Sequence, residues 1–477
     1  MKPIANPQTP GWRREGLETL RLAGPLALAN LLQMLTYAVD VIFIARLGAD
    51  ELAASALTIA FFGLLAWALQ GLTGAVAPIA AALIGQRGPA LRPVRRTVRM
   101  GLWQAVLFGG VAMIPCTFAR PLMILAGQEA RIAELAGQYM DVLLWSLVPM
   151  VIAGVLRNFV ATLGRPIFAT AITGLGIGVN AVGNYAFIFG NLGMPMMGLR
   201  GAAMATLLTS LAVLVAYVAA IAADPRLARY HVFGFFWRPD WPRFAELLRI
   251  GTPIAVAIAA EAGVFGAAAF LMGLLGAGQL AAHTIALQIA ALAFQVPFGV
   301  SQATTIRVGL FFGAGDRLGV LRAGWMGIAL GLGFMVLTAL AMVSAPHLLL
   351  AIYLDPEDPA NAQLVAFASS FLMVAAAFQL SDGLQVVAAG ALRGLKDTRM
   401  PMWIAVFAYW VPGFGLAAGL GLGSGLGGIG VWLGLAAGLT CAAVLMVWRW
   451  IGRERLGLLG PGTSEHLGHR KKVPDGS

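Results

Sequence analysis

Charge is scarce in this chain. Only 11% of its 477 residues are Asp, Glu, Lys or Arg, against about 25% in a soluble domain, and that deficit excludes an ordinary water-soluble fold. Cysteine is scarcer still. Cys116 and Cys441 are the only two, both in apolar runs, which excludes a disulfide framework and a thiolate metal site. No Gly-Lys dipeptide occurs, so the chain holds no Walker A loop and drives no transport with ATP by itself. The five histidines form no HExxH motif. Gly423, Gly425 and Gly428 match GxGxxG, but no strand precedes them and they abut an apolar helix, so they do not signal a dinucleotide site. Asp382 sits in LSDGL, without the GxGD setting of an intramembrane aspartyl protease. Residues 1–20 are polar, and no short apolar stretch ends in a small-residue cleavage site, so no removable signal peptide is expected.

What fills the chain is apolar. Hydrophobic residues make up 59% and the mean hydropathy is +0.83, the composition of an integral membrane protein. Twelve runs are long enough to cross a hydrocarbon core of about 30 Å as helices. They lie near 20–45, 52–80, 99–125, 135–156, 166–190, 197–222, 247–275, 280–306, 319–346, 362–390, 400–421 and 426–449. With both termini cytoplasmic, 28 of the 32 basic residues fall on the inside, leaving only Arg46, Arg120, Arg131 and Arg200 outside. That bias sets the orientation. It also accounts for the net charge of +11 as a topogenic signal, so no nucleic-acid partner is expected.

The chain repeats itself. A shift of 228 residues lays Pro25 on Pro253, Leu47-Gly48-Ala49 on Leu275-Gly276-Ala277, Gly71 on Gly299 and Gly85 on Gly313. GVLRNFVATLGRPIF similarly recurs as GALRGLKDTRMPMW with a small further shift. The expected organisation is a cytoplasmic segment (1–19), a six-helix bundle (20–222), a basic cytoplasmic linker (223–246), a second bundle (247–449) and a basic tail (450–477). An even number of spans returns each copy to the same side, so the halves are parallel repeats about an axis normal to the membrane.

Three carboxylates stand inside apolar spans: Asp40, Glu261 and Asp382. Each opposes insertion by roughly 2.5–3.5 kcal/mol at a helix centre, a penalty that a purely structural helix avoids with Leu or Ala. Such acids usually face a wet cavity and handle cations or protons; the plain alternative is a protonated or hydrogen-bonded packing residue. The acids break the repeat, because Gln33 aligns with Glu261 and Ala268 with Asp40. Tyr37 lies one turn before Asp40, where its phenol can reach the carboxylate. Asn180 and Asn184 form a polar stripe four residues apart. Gln33, Gln288, Gln379 and Gln385 are further intramembrane amides, and each serves equally well as helix glue or as a cavity lining. Pro25 and Pro253, near the starts of their helices, are either tolerated first-turn residues or kinks that act as hinges.

The twelve spans in two halves, GPLALANLLQMLTYAVDVIFIARLG in the first span, the acid in the seventh and the Asp382 helix running into GALRGLKDTRMPM together resemble the multidrug and toxic compound extrusion (MATE) family. The likeness covers about residues 15–450 and is greatest to the NorM-type bacterial branch. It implies two bundles around a V-shaped cavity that alternates between membrane faces, and export of organic, mostly cationic compounds in exchange for H⁺ or Na⁺, with no other cofactor. Carried over, Asp40 matches a first-helix aspartate of proton or drug coupling, with Tyr37, Asn180 and Asn184 as its surroundings. Glu261 and Asp382 match an acidic pair linked to cation binding, a possible Na⁺ site. Na⁺-binding relatives carry a tyrosine where this chain has Phe378, which points to protons being at least as competent as Na⁺. The resemblance further implies a monomer in the bacterial inner membrane. A lipid-linked-oligosaccharide flippase of the same superfamily favours basic cavities, whereas the deep charges here are expected to be acidic. A non-transporting receptor or scaffold would leave the three acids without a role.

Overall fold

The computed structural model describes residues 11–86 and 90–459, and Lys2, Arg87, Arg470, Lys471 and Lys472 lie outside them. Among the described residues there are helices and no strands. Lipid offers no partner to backbone N–H and C=O groups, so apolar runs of this length satisfy them internally as helices. Twelve helices are long and apolar enough to span: α1 Trp12–Ile44, α2 Ala49–Gly85, α3 Leu91–Thr117, α4 Ala130–Thr162, α5 Ile167–Phe189 and α6 Leu199–Ala223 form the first half. The second half holds α7 Trp241–Leu275, α8 Ala277–Ala314, α9 Arg317–Ser344, α10 Pro359–Gly394, α11 Arg399–Gly423 and α12 Gly427–Ile451. Every expected span is present, and several helices run beyond the apolar stretch. α1 begins at Trp12, not near residue 20, and α8 continues to Ala314. Hydropathy marks the hydrocarbon crossing, whereas a helix ends only where its hydrogen bonding is capped.

The halves are two pseudo-symmetric six-helix bundles, each with its own apolar core. They meet at the end of the molecule where α1 begins and α12 ends. The 228-residue repeat is visible in the contacts themselves. A Cβ at Gly85 would stand 2.0 Å from the carbonyl oxygen of Leu310, and one at Gly313 would stand 1.9 Å from that of Ala82, the repeat-related position. No side chain fits there, so α2 and α8 cross backbone to backbone. Gly71 against Ala255 and Gly299 against Ala27 repeat the arrangement between α2 and α7 and between α8 and α1. An ion pair closes the same face: buried Glu15 of α1 takes both arms of the Arg307 guanidinium of α8, the Nε contact at 2.8 Å. Toward the opposite end Leu35, Val41 and Ile42 of α1 and Phe270 and Leu274 of α7 remain exposed.

The basic connection between the halves is not a free loop. Asp224 caps the short helix Pro225–Ala228, and Asp240 caps α7. Between them the chain lies on α3, where Trp103 donates to the Phe236 carbonyl at 2.9 Å and Arg99 to that of Phe235 at 3.0 Å.

Candidate functional site

In the first half, α1 and α5 enclose Asp40. Its Oδ1 accepts from Asn180 Nδ2 at 2.9 Å and from Asn184 Nδ2 at 2.7 Å, and Asn184 also donates to Asn180 Oδ1 at 3.1 Å. The one-turn spacing of the two asparagines aims both amides at one carboxylate oxygen. Both are fully buried, and Asp40 is 4% exposed. Tyr37 does not take the expected part. It is 37% exposed, and Asp40's side-chain hydrogen bonds go to the two asparagines instead. Residues three apart on a helix share a face only approximately, and here the acid turns toward α5.

Gln33 belongs to a different contact. Its Oε1 accepts from Arg157 Nη1 of α4 at 3.5 Å, while the other Nη of Arg157 is held by Asn30 Oδ1. Arg157 is therefore not a boundary residue: it stands within α4, an intramembrane cation closed on two amides of α1.

In the second half, α7 and α10 bring Glu261 and Asp382 together through one amide. Gln385 Nε2 reaches Glu261 Oε1 at 3.4 Å and Asp382 Oδ1 at 3.4 Å. Gln385 Oε1 accepts from Tyr409 at 3.1 Å. Tyr409 begins a π-helical segment, Tyr409–Phe414, containing Pro412; the missing proline N–H permits the wider turn, a feature common at functional sites. A small cavity opens here, its wall including Glu261, Gln385, Arg393, Tyr409, Thr398 and Pro253. Pro253 lies about two turns before Glu261, inside α7, as Pro25 lies inside α1. The Pro25 carbonyl accepts from Thr170 of α5 at 2.6 Å.

The remaining expected residues lie elsewhere. Phe378 is 2% exposed and packs edge-on to Phe265 and Trp432, a core position. Gln379 ties three helices, accepting from Thr338 Oγ1 at 2.8 Å and donating to the Ala290 carbonyl at 3.3 Å. Gln288 is exposed on α8 and makes no side-chain hydrogen bond among the described residues. Asn30, Arg157, Arg393 and Tyr409 were not singled out from sequence. The two arginines carried a signal, because Arg157 and Arg393 occupy the same place in the repeated Gly-x-Leu-Arg stretch.

The MatE family model matches twice, over residues 25–186 and 253–418, and its two starting points are the repeat-related prolines. A probable multidrug resistance protein NorM of Mesorhizobium japonicum is 45% identical over 446 residues, 93% of this chain and 95% of that protein. The multidrug resistance protein NorM of Burkholderia vietnamiensis is 39% identical over 442 residues, 92% and 95% of the two chains. Among solved structures, the eukaryotic MATE transporter AtDTX14 superposes with a TM-score of 0.83 at 18% identity, covering 93% of this chain and 96% of that one. An outward-facing multidrug resistance MATE transporter of the MOP superfamily gives 0.82 at 22% identity, covering 94% and 97%. A membrane protein of two fused six-helix repeats, matched in each repeat by one model and alike along its length to NorM proteins, this chain belongs to the MatE family of multidrug efflux transporters.

Proposed function

We propose that the protein is a cation-coupled antiporter, exporting organic, mostly cationic compounds in exchange for H⁺ or Na⁺ by alternating access. The observation that carries this reading is the acid pair Glu261–Asp382, two carboxylates that share one amide donor at 3.4 Å to each, with Glu261 lining a cavity and Asp382 buried behind it. A carboxylate accepts several hydrogen bonds when ionised, so this pair has vacant acceptor sites for a proton or a small cation. Asp40, with Asn180 and Asn184, supplies the acid of the other half. Tyr409 adds a phenol oxygen to the second-half site that the Phe378 position lacks. The positive-inside bias supports a bacterial inner-membrane topology with both termini cytoplasmic. The joined end is then closed to the cytoplasm, and substrate leaves from the opposite end.

One monovalent cation entering across about 100 mV supplies about 2.3 kcal/mol, enough for roughly a 50-fold gradient of a neutral substrate. Exporting a monovalent cation uses the same amount, so cationic substrates require more than one ion per cycle or a chemical gradient. Purified protein in liposomes tests the substrate class. Export of a fluorescent cationic dye is expected; transport of anionic glycolipid head groups without any dye export would overturn the reading in favour of a flippase.

A further inference from the structure

The repeat brings one structural joint into view twice, in two states. In the first half Arg157 of α4 is closed on α1, hydrogen-bonded to Asn30 and Gln33. Its counterpart in the repeated Gly-x-Leu-Arg stretch is Arg393 of α10, and the counterpart of Gln33 at the 228-residue shift is Glu261 of α7. Arg393 lines the same cavity as Glu261, Gln385 and Tyr409, yet it makes no hydrogen bond or ion pair among the described residues. Arg393 is half-buried in the last turn of α10, and a guanidinium without a hydrogen-bond partner there is unfavourable. The acid across the cavity is also short of donors. The same joint is therefore shut on neutral amides in one half and open before a carboxylate in the other.

We propose that Arg393 is a tethered cation that competes with the coupling cation for Glu261, closing on it as Arg157 closes on Gln33 and expelling the bound H⁺ or Na⁺. This rests on Glu261 being a coupling acid. Arg393 is then a positioning residue: it does not meet the exported compound, but it sets when Glu261 is free. A cation on Glu261 and Arg393 on Glu261 exclude each other, because one carboxylate cannot be neutralised twice without leaving the arginine unpaired again. Arginine suits the task, since its planar fork meets a carboxylate bidentately and stays charged at all working pH values. The charged and titratable groups facing Glu261 among the described residues are Asp382 and Arg393 of α10 and Tyr409 of α11.

The test is the pH profile of ΔpH-driven dye efflux in liposomes for five proteins: unmodified, Arg393→Gln, Arg393→Lys, Glu261→Gln and Glu261→Gln/Arg393→Gln. Removing the competitor strengthens proton binding, so in Arg393→Gln the half-maximal point moves up by about one pH unit, a tenfold change. Its maximal rate falls because proton release slows. Arg393→Lys keeps a positive charge and stays within a few tenths of a unit of the unmodified profile. If Arg393→Gln fails to accumulate, the double variant restores folding by removing the acid together with its counter-charge, and the small residual efflux it retains does not depend on pH. An unshifted profile in Arg393→Gln, or equal shifts for Gln and Lys, would overturn the proposal and leave Glu261 as a coupling acid. Unmodified pH-dependent efflux in Glu261→Gln alone would instead remove the coupling assignment on which the proposal stands.

Discussion

The two halves share a frame and differ in how they hold an acid. Asp40 is the better bonded: two amide donors at 2.7 and 2.9 Å meet one of its oxygens, and both donors are fully buried. Glu261 and Asp382 divide a single amide at 3.4 Å each, and Glu261 shares a cavity wall with an arginine that makes no hydrogen bond. The contrast recurs at the loops. Arg165 before α5 pairs with Asp224 at the end of α6 at 3.0 Å, while in the second half Asp397 before α11 pairs with Arg449 of α12 at 2.6 Å. The joint is retained and the charges are exchanged. Duplication thus preserved packing, where glycine and carbonyl positions are interlocked, and left the polar positions free to diverge. A tightly bonded acid holds its geometry, and a sparsely bonded one is better placed to load and release a cation.

Separating the halves should produce the largest effect. Glu15→Ala leaves Arg307, held against α1, without its partner, and breaking a buried pair in this way costs about 3–5 kcal/mol. A clear fall in the thermal unfolding midpoint in detergent is expected, with at least partial recovery in Glu15→Arg/Arg307→Glu. An unchanged midpoint would mean that the glycine crossings alone join the bundles.

Next come the acids of the second half. Glu261→Gln and Asp382→Asn should each lower cation-driven dye efflux at least 100-fold, about 2.7 kcal/mol, with protein levels in the membrane unchanged. Wild-type efflux in both would make the pair a packing feature. Asp40→Asn should be milder, about tenfold or 1.4 kcal/mol, because the Oδ1 of the new side chain still accepts from Asn180 and Asn184. A loss as deep as that of Glu261→Gln would erase the distinction between the halves. Smallest is Gln379→Leu, which removes ties to Thr338 and Ala290. About 1 kcal/mol of stability should be lost, with efflux and substrate range unaltered; a changed substrate range would return Gln379 to the cavity.

Much of this was legible in sequence. The twelve spans follow from hydropathy, because backbone satisfaction in lipid leaves no other structure. The 228-residue shift aligned Gly85 with Gly313, the two glycines that meet in one crossing, and the family resemblance named both partners of Asp40. What escaped depended on direction in space. Nothing in a pattern says that Asp40 takes its hydrogen bonds from α5 and not from Tyr37, or that Phe378 is wedged between Phe265 and Trp432. Arg157 and Arg393 were counted as boundary charges because each lies near the end of an apolar run; only the helices show that they reach inward. Tyr409 depends on a π turn whose sole mark was Pro412.

The central claim is that the driving cation is loaded on the sparsely bonded acids of the second half. Antiport requires that substrate binding and cation occupancy oppose each other, and linkage makes that opposition measurable at equilibrium. Protons released on adding a cationic dye to purified protein in weakly buffered detergent solution give the most direct test. Release is predicted for the unmodified protein and for Asp40→Asn, and none for Glu261→Gln. Full release from Glu261→Gln, with none from Asp40→Asn, would contradict the account.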